Sequence, residues 1–231
     1  MMLWADVVIQ NSTVEFYKQR ASAKIYAKRI EKKKEVEAVQ VDANIVIPPY
    51  QNVLIKAQKL TFDPESFNCH AFDQVTLNWG DLTVYASGLE FQFQDYKLLS
   101  QEMSEAHYRK WTFEIPEFVY EHPKKMLTCS KGGTISDATS KLVAQYVVAY
   151  FDHRFDLSKK VVFQNKDVEV ETEIMHCFLD QANEIKKIDA PHKLKLKTHD
   201  GKIKVQGNRM TYENNKATLN GNVRCLIERE F

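Results

Sequence analysis

The chain carries seven histidines, and none stands at a metal-binding spacing. His107, His122 and His153 fall at turns or strand ends and read as surface residues. No HExxH pair occurs, the arrangement that sets two imidazoles one helical turn apart around zinc. Cys69, Cys129, Cys177 and Cys225 form no CxxC pair and give no zinc pattern. They read as small apolar core residues, with a long-range disulfide as the alternative in an oxidising compartment. Ser130-Lys131-Gly132-Gly133-Thr134 is glycine-rich but lacks the spacing of a phosphate loop, and reads as a turn. No GxSxG elbow is present. Acidic pairs are frequent, as in carbohydrate-cleaving β-solenoids, but a stacked repeat aligns carboxylates on its own. The expected protein is therefore not an enzyme and calls for no cofactor or metal.

The basic residues form two groups, Lys28-Arg29 with Lys32-Lys33-Lys34, and the ladder Lys193, Lys195, Lys197, Lys202 and Lys204. Each is either a solvated face or a contact for lipid phosphates. Few aromatics interleave with them, which argues against nucleic acid. The formal charge of +1 adds no preference for an anionic partner.

Positioning any site falls to strands. Phe and Tyr number 13 and 10 against 7 Gly and 6 Pro, a balance that suits strands better than helices. Alternation is plain in Lys202-Ile203-Lys204-Val205-Gln206, where Ile203 and Val205 share one face and the polar residues the other. No run approaches the roughly 20 apolar residues that span a bilayer, and no leader is evident after Met1. These features lead us to expect a soluble protein, a mature domain, or one whose exporting segment lies outside this sequence.

A pattern of apolar, any, small or apolar, any two, apolar recurs. It reads Ile25-Tyr26-Ala27-Lys28-Arg29-Ile30, Ile55-Lys56-Ala57-Gln58-Lys59-Leu60 and Val84-Tyr85-Ala86-Ser87-Gly88-Leu89. Further copies begin at Phe113, Leu142, Val170 and Val205, those at Phe113 and Val170 being the loosest matches. The third position falls at 27, 57, 86, 115, 144, 172 and 207, in steps of 30, 29, 29, 29, 28 and 35. An aromatic often follows, as at Phe62, Phe91, Tyr120 and Tyr212, and then a polar turn such as Asp63-Pro64-Glu65-Ser66 or Glu213-Asn214-Asn215-Lys216. The three-residue step from Ala57 to Leu60 breaks strict alternation. A bend there returns Leu60 and Phe62 to the inner face, and the small third residue suits a tight corner. Each copy thus reads as two strands, folding one sheet over another. The chain reads as a single domain over residues 1–231, with an opening strand over residues 1 to about 20 and little helix. Lys28 to Glu37 has helical composition, but the repeat puts a strand end and turn there.

Met210-Thr211-Tyr212-Glu213 followed by Ala217-Thr218-Leu219-Asn220-Gly221-Asn222-Val223 resembles the repeat of the lipopolysaccharide-transport β-jellyroll superfamily, which holds the LptC, LptA and OstA-like proteins. Leu60-Thr61-Phe62-Asp63-Pro64-Glu65 with Asp73-Gln74-Val75-Thr76-Leu77 is a second match, and the similarity extends over roughly residues 5 to 228. Val7-Val8-Ile9-Gln10 before the Ile25 copy looks most like the LptC branch. The membrane anchor of that branch and the signal peptide of the LptA branch are not in this sequence.

The resemblance implies an all-β, elongated, folded-over antiparallel jellyroll of about seven copies, open along one side, with lipid acyl chains inside. It implies a periplasmic bridge component, tethered to the inner membrane by a segment outside this sequence. Such a component binds lipopolysaccharide through lipid A and passes it from an inner-membrane transporter complex toward the outer membrane. Its partners are other Lpt-type jellyrolls, joined by edge-strand pairing. The expected lipid-binding residues of the interior face are Ile55, Leu60, Phe62, Val84, Leu89, Phe91, Phe113, Phe118, Tyr120, Met210 and Tyr212. Simple core packing is the alternative for all of them. A structural β-repeat adaptor, binding proteins by its edges, is the alternative function.

Overall fold

The computed structural model describes residues 7–18, 21–32, 35–46, 48, 52–213 and 216–227. Lys33, Lys34, Asn214 and Asn215, named above for their charge or turn, lie outside the described residues, as does the chain before Val7. Among the described residues there are 22 β-strands, every pair of them antiparallel, and no α-helix. The lone helical element among them is the 3-10 turn His122–Lys124. The fold is all-β, as the alternation requires. The strands gather into two compact units, residues 1–108 with 116–123, and residues 109–115 with 124–231.

The first unit begins as a meander of β1 (Val7–Lys18), β2 (Ala21–Lys32), β3 (Val36–Val46), β4 (Val53–Phe62), β5 (Cys69–Trp79) and β6 (Leu82–Gln92). Each of these strands bends at its middle. In β2 the buried positions run Ala21, Ala23, Ile25, Ala27 and then Ile30, so the inward phase slips by one residue after Ala27. The same slip separates Ala57 from Leu60 in β4. Ladder register shifts lie between Lys56 and Lys59 and between Phe72 and Val75. Non-glycine residues in the left-handed region, Asn11, Gln40, Asp73 and Gln74, stand at these bends. That is the signature of a bulge, where one strand takes an extra residue to turn the sheet.

The bends are in register from strand to strand. Ala27 faces Val41, and Val41 faces Ala57. Lys56 faces Thr76, whose neighbour Val75 faces Ala86. A corner line therefore crosses the sheet and divides it into a front limb (12–18, 21–27, 41–46, 53–57, 75–79, 82–86) and a back limb (7–10, 29–32, 36–39, 59–62, 69–72, 88–92). Beyond β6 the limbs use separate strands. The front half of β6 pairs with β8 (Ser104–Tyr108), and its back half with β7 (Lys97–Ser100). In turn β7 pairs with β10 (Phe118–Glu121), which follows β9 (Trp111–Ile115) in the chain.

The second unit repeats the plan. Its front limb joins β9, β12 (Gly133–Ser136), β13 (Ser140–Ala144), β15 (Arg154–Asn165), β16 (Val168–Leu179), β18 (Leu194–Thr198), β19 (Ile203–Gly207) and β22 (Arg224–Ile227). Its back limb joins β11 (Met126–Cys129), β14 (Tyr146–Tyr150), the other halves of β15 and β16, β17 (Ile185–Ala190), β20 (Arg209–Glu213) and β21 (Lys216–Asn220). Only β15 and β16 cross the corner unbroken, and Lys159 and Lys160 take the left-handed conformation there.

Along the chain, the third positions of the seven copies fall in β2, β4, β6, β9, β13, β16 and β19. Each copy is one bent run and one return run. The long step of 35 residues from Thr172 to Gly207 contains the 180–184 loop and the break at 191–193. Ser130 to Gly132 is the corner between β11 and β12, a bend within one run rather than a turn between two. Gly132 has φ +85°, and a Cβ there would lie 2.6 Å from the Ala144 carbonyl oxygen.

Candidate functional site

The inner faces of the two limbs meet in each unit. In the first, Phe16 of the front limb lies 5.1 Å from Phe62 of the back limb, ring centre to ring centre. Trp79 reaches across to Phe91 at 5.4 Å and Tyr120 at 5.8 Å, edge to face in both cases. In the second unit, Trp111 lies 5.0 Å and Phe113 5.8 Å from Phe155, again edge to face. Such aromatic pairs add about 0.5–1.5 kcal/mol each to their burial.

Ten of the eleven interior residues expected from the sequence are buried: Ile55, Leu60, Phe62, Val84, Leu89, Phe91, Phe113, Phe118, Tyr120 and Met210 are 0–4% exposed. Tyr212 is half-buried. The bend places them: Ile55 precedes it in β4, and Leu60 and Phe62 follow it, all pointing inward. Residues that sequence reasoning passed over complete the interior. Trp79 and Trp111 are 1% exposed, and their alternation with Leu77 and Phe113 was a usable signal. Phe67 is also buried, although it sits in a polar turn; no local pattern marks it.

Among the described residues few polar side chains are fully buried, and three of them, Ser100, Ser104 and Thr172, are bonded at the corner. The Ser100 and Ser104 hydroxyls lie 2.8 Å apart and both donate to the Glu102 carbonyl at 3.0 Å. The Thr172 hydroxyl donates to the Lys193 carbonyl at 3.2 Å. Cys69, Cys129 and Cys177 are buried thiols, while Cys225 is exposed and departs from the core reading of the cysteines. Burial pushes the Cys69 thiol up to about 12 and that of Cys177 up as well.

Charge stays on the outer faces. Arg29 pairs with Glu31, and Lys28 is exposed. The lysine ladder divides. Lys197 holds Glu169 at 2.6 Å, a bond that lowers the Glu169 pKa and raises that of Lys197. Lys193 and Lys195 instead line an open cleft of about 1030 Å³ at the corner of the second unit, with Lys160, Arg224, Glu171 and Glu173. The three histidines singled out above stand at turns or strand ends. His107 lies 2.5 Å from Glu105, His122 stacks on Trp79 at 4.1 Å, and His153 is exposed in the β14–β15 turn.

Towards the chain end the interior opens. Val205 and Leu196 are half-buried, and their neighbours Ile203 and Ile227 are 38% and 61% exposed. The two facing apolar sheets pack against each other, and the open cleft of the second unit is lined largely by charged and polar residues. The chain matches no model of a known protein family and no curated protein sequence.

Proposed function

We propose that the protein binds lipid acyl chains between its limbs and passes lipopolysaccharide on without covalent chemistry, as a bridge component of the periplasm. The reading is carried by the inward faces: among the described residues, the fully buried side chains are apolar apart from Ser100, Ser104, Thr172 and Asn183. An acyl chain inserted there gains about 0.8 kcal/mol per buried CH₂. A charged or sugar-like ligand gains nothing from such walls. Repeated similar positions give many weak sites in series, which suits passage rather than storage. The half-open strands near the chain end offer acyl chains a way on. The resemblance of the repeat supplies the lipid class and the compartment, and energy for movement must come from a partner.

A photo-crosslinking benzoylphenylalanine at position 91 tests the reading. Phe91→Asp is a poor probe, because a charge in place of a 1% exposed ring would unfold the core. Incubated with lipopolysaccharide and irradiated, the variant should yield lipid adducts. The same label at Gln92, on the outer face, should not. Adducts to protein alone would favour an adaptor that works through its edges, for which β1 offers an edge: it pairs with β2 on one side only among the described residues.

A further inference from the structure

In each unit one loop of the back limb is fastened to the front limb across the mouth opposite the corner. The two loops are built alike. Residues 63–68 join β4 to β5, and residues 180–184 join β16 to β17. In the first, the Asp63 N–H donates to the Asn68 carbonyl at 2.9 Å and the Phe67 N–H to the Asp63 carbonyl at 2.8 Å. In the second, the Asp180 N–H donates to the Glu184 carbonyl at 2.9 Å and the Asn183 N–H to the Asp180 carbonyl at 3.0 Å. The opening aspartate caps each loop. Asp63 Oδ1 accepts from the Glu65 N–H at 2.9 Å, and Asp180 Oδ1 from the Ala182 and Glu184 N–H groups at 2.8 and 2.9 Å. Each loop holds one buried residue in the left-handed region, Phe67 at φ 66° and Asn183 at φ 62°.

A lysine from the front limb grips each loop. Lys18 Nζ donates to the Glu65 carbonyl. Lys110 Nζ lies 3.4 Å from Glu184 Oε1 and 3.1 Å from Asp137 Oδ2, the latter on its own limb. In the second unit Trp111 adds an indole N–H bond of 2.9 Å to the Asn183 carbonyl. Asn183 Oδ1 is buried there without a partner. The strap is thus self-contained as a loop, and few bonds fasten it. Once its fastenings break, such a loop opens locally and its own amides reach water, at a cost set by those few bonds and by its one inward side chain.

We propose that these loops are straps that gate the interior, and that acyl chains enter sideways under them when the lysine fastening releases. The inference rests on the lipid reading above but concerns regulation of that site. The interior side chains are packed, so a ligand between the limbs requires the mouth to part. The fastenings of the second strap lie in Lys110, Trp111, Asn183 and Glu184; of these, Trp111 also faces the interior, which is why its replacement keeps an aromatic ring.

The full chain carrying Lys110→Ala with Trp111→Phe tests this, the second change keeping an aromatic ring but removing the donor. Two readouts are needed. Amide hydrogen exchange at Ala182, Asn183 and Glu184 should quicken about two- to tenfold, the range expected for one net hydrogen bond and a partly exposed ion pair. Exchange in β14 and β15 should hold. Uptake of cis-parinaric acid, followed by its fluorescence, should quicken by the same factor. Unchanged exchange at 182–184 would overturn the strap, whatever lipid does. Faster exchange with unchanged uptake would overturn the gate while leaving lipid binding intact. No uptake by either protein would overturn the gate together with the lipid reading. A general loss of protection in the double variant would pass the test to Lys110→Ala alone, judged by the same outcomes.

Discussion

Ile115 occupies the corner place that Ala27, Ala57, Ala86 and Ala144 hold in other copies, and a glycine makes room for it. A Cβ on Gly133 would stand 2.6 Å from Ile115 Cγ2 and 3.0 Å from the Glu114 carbonyl oxygen. The corner thus tolerates one large residue if its cross-strand neighbour has no side chain. Gly133→Ala should lower stability by about 1–3 kcal/mol, the usual cost of overpacking. Combining it with Ile115→Ala should cost less than the two changes summed, as urea denaturation of the four proteins in the cycle would reveal. Additive losses would mean that the two residues do not share the corner. The sequence displayed Ile115 as a deviant member of the repeat, and Gly133 as half of a glycine pair. Neither signal alone linked them, because the link runs between strands and the repeat is read along one. By contrast, the Ala57-to-Leu60 step was legible, because a slip in phase is local to one strand. Phe67 and Asn183 were not, since a buried residue in a polar turn owes its place to the opposite limb.

At the scale of elements, turns tie one run to the next, and two of their carboxylates are acid-sensitive. The Ser66 hydroxyl, and to a lesser degree the Glu65 N–H, hold the Asp63 carboxyl below the ordinary carboxylate range despite some burial. Burial works to raise that of Asp137, but the Thr139 N–H, Lys110 and further donors outweigh it and leave the carboxyl lowered. A carboxyl with a depressed folded-state pKa stabilises the fold above its unfolded value and loses that contribution as pH falls through the folded one. The urea midpoint should therefore drop as pH is lowered below about 4. Asp63→Asn with Asp137→Asn should be less stable at neutral pH and should flatten that slope. An undiminished slope would assign the acid sensitivity to other groups. The turn at 63–66 was legible from its Asp-Pro start. That it is fastened to the front limb was not, because Lys18 lies far from it in sequence.

At the scale of the molecule, a unit of two runs is copied seven times, and each copy is bent at the same place. Regular spacing made this legible: equal steps along the chain become a corner line in the sheet. The division into two compact units had no counterpart in composition, since no linker marks it. The inner faces bring Trp79 of one unit and Trp111 of the other into apolar surroundings, each 1% exposed. Both therefore report on whatever lies between the limbs. The most direct measurement is the quenching of their emission by dibromostearic acid, in variants that keep one tryptophan at a time and carry Phe in place of Trp4. Bromine on the acyl chain must come close to the indole to quench it. Both single-tryptophan proteins should be quenched as the fatty acid binds, and unbrominated stearic acid should leave them bright. Fatty acid that binds while both indoles keep their emission would place the ligand outside the limbs and contradict the account.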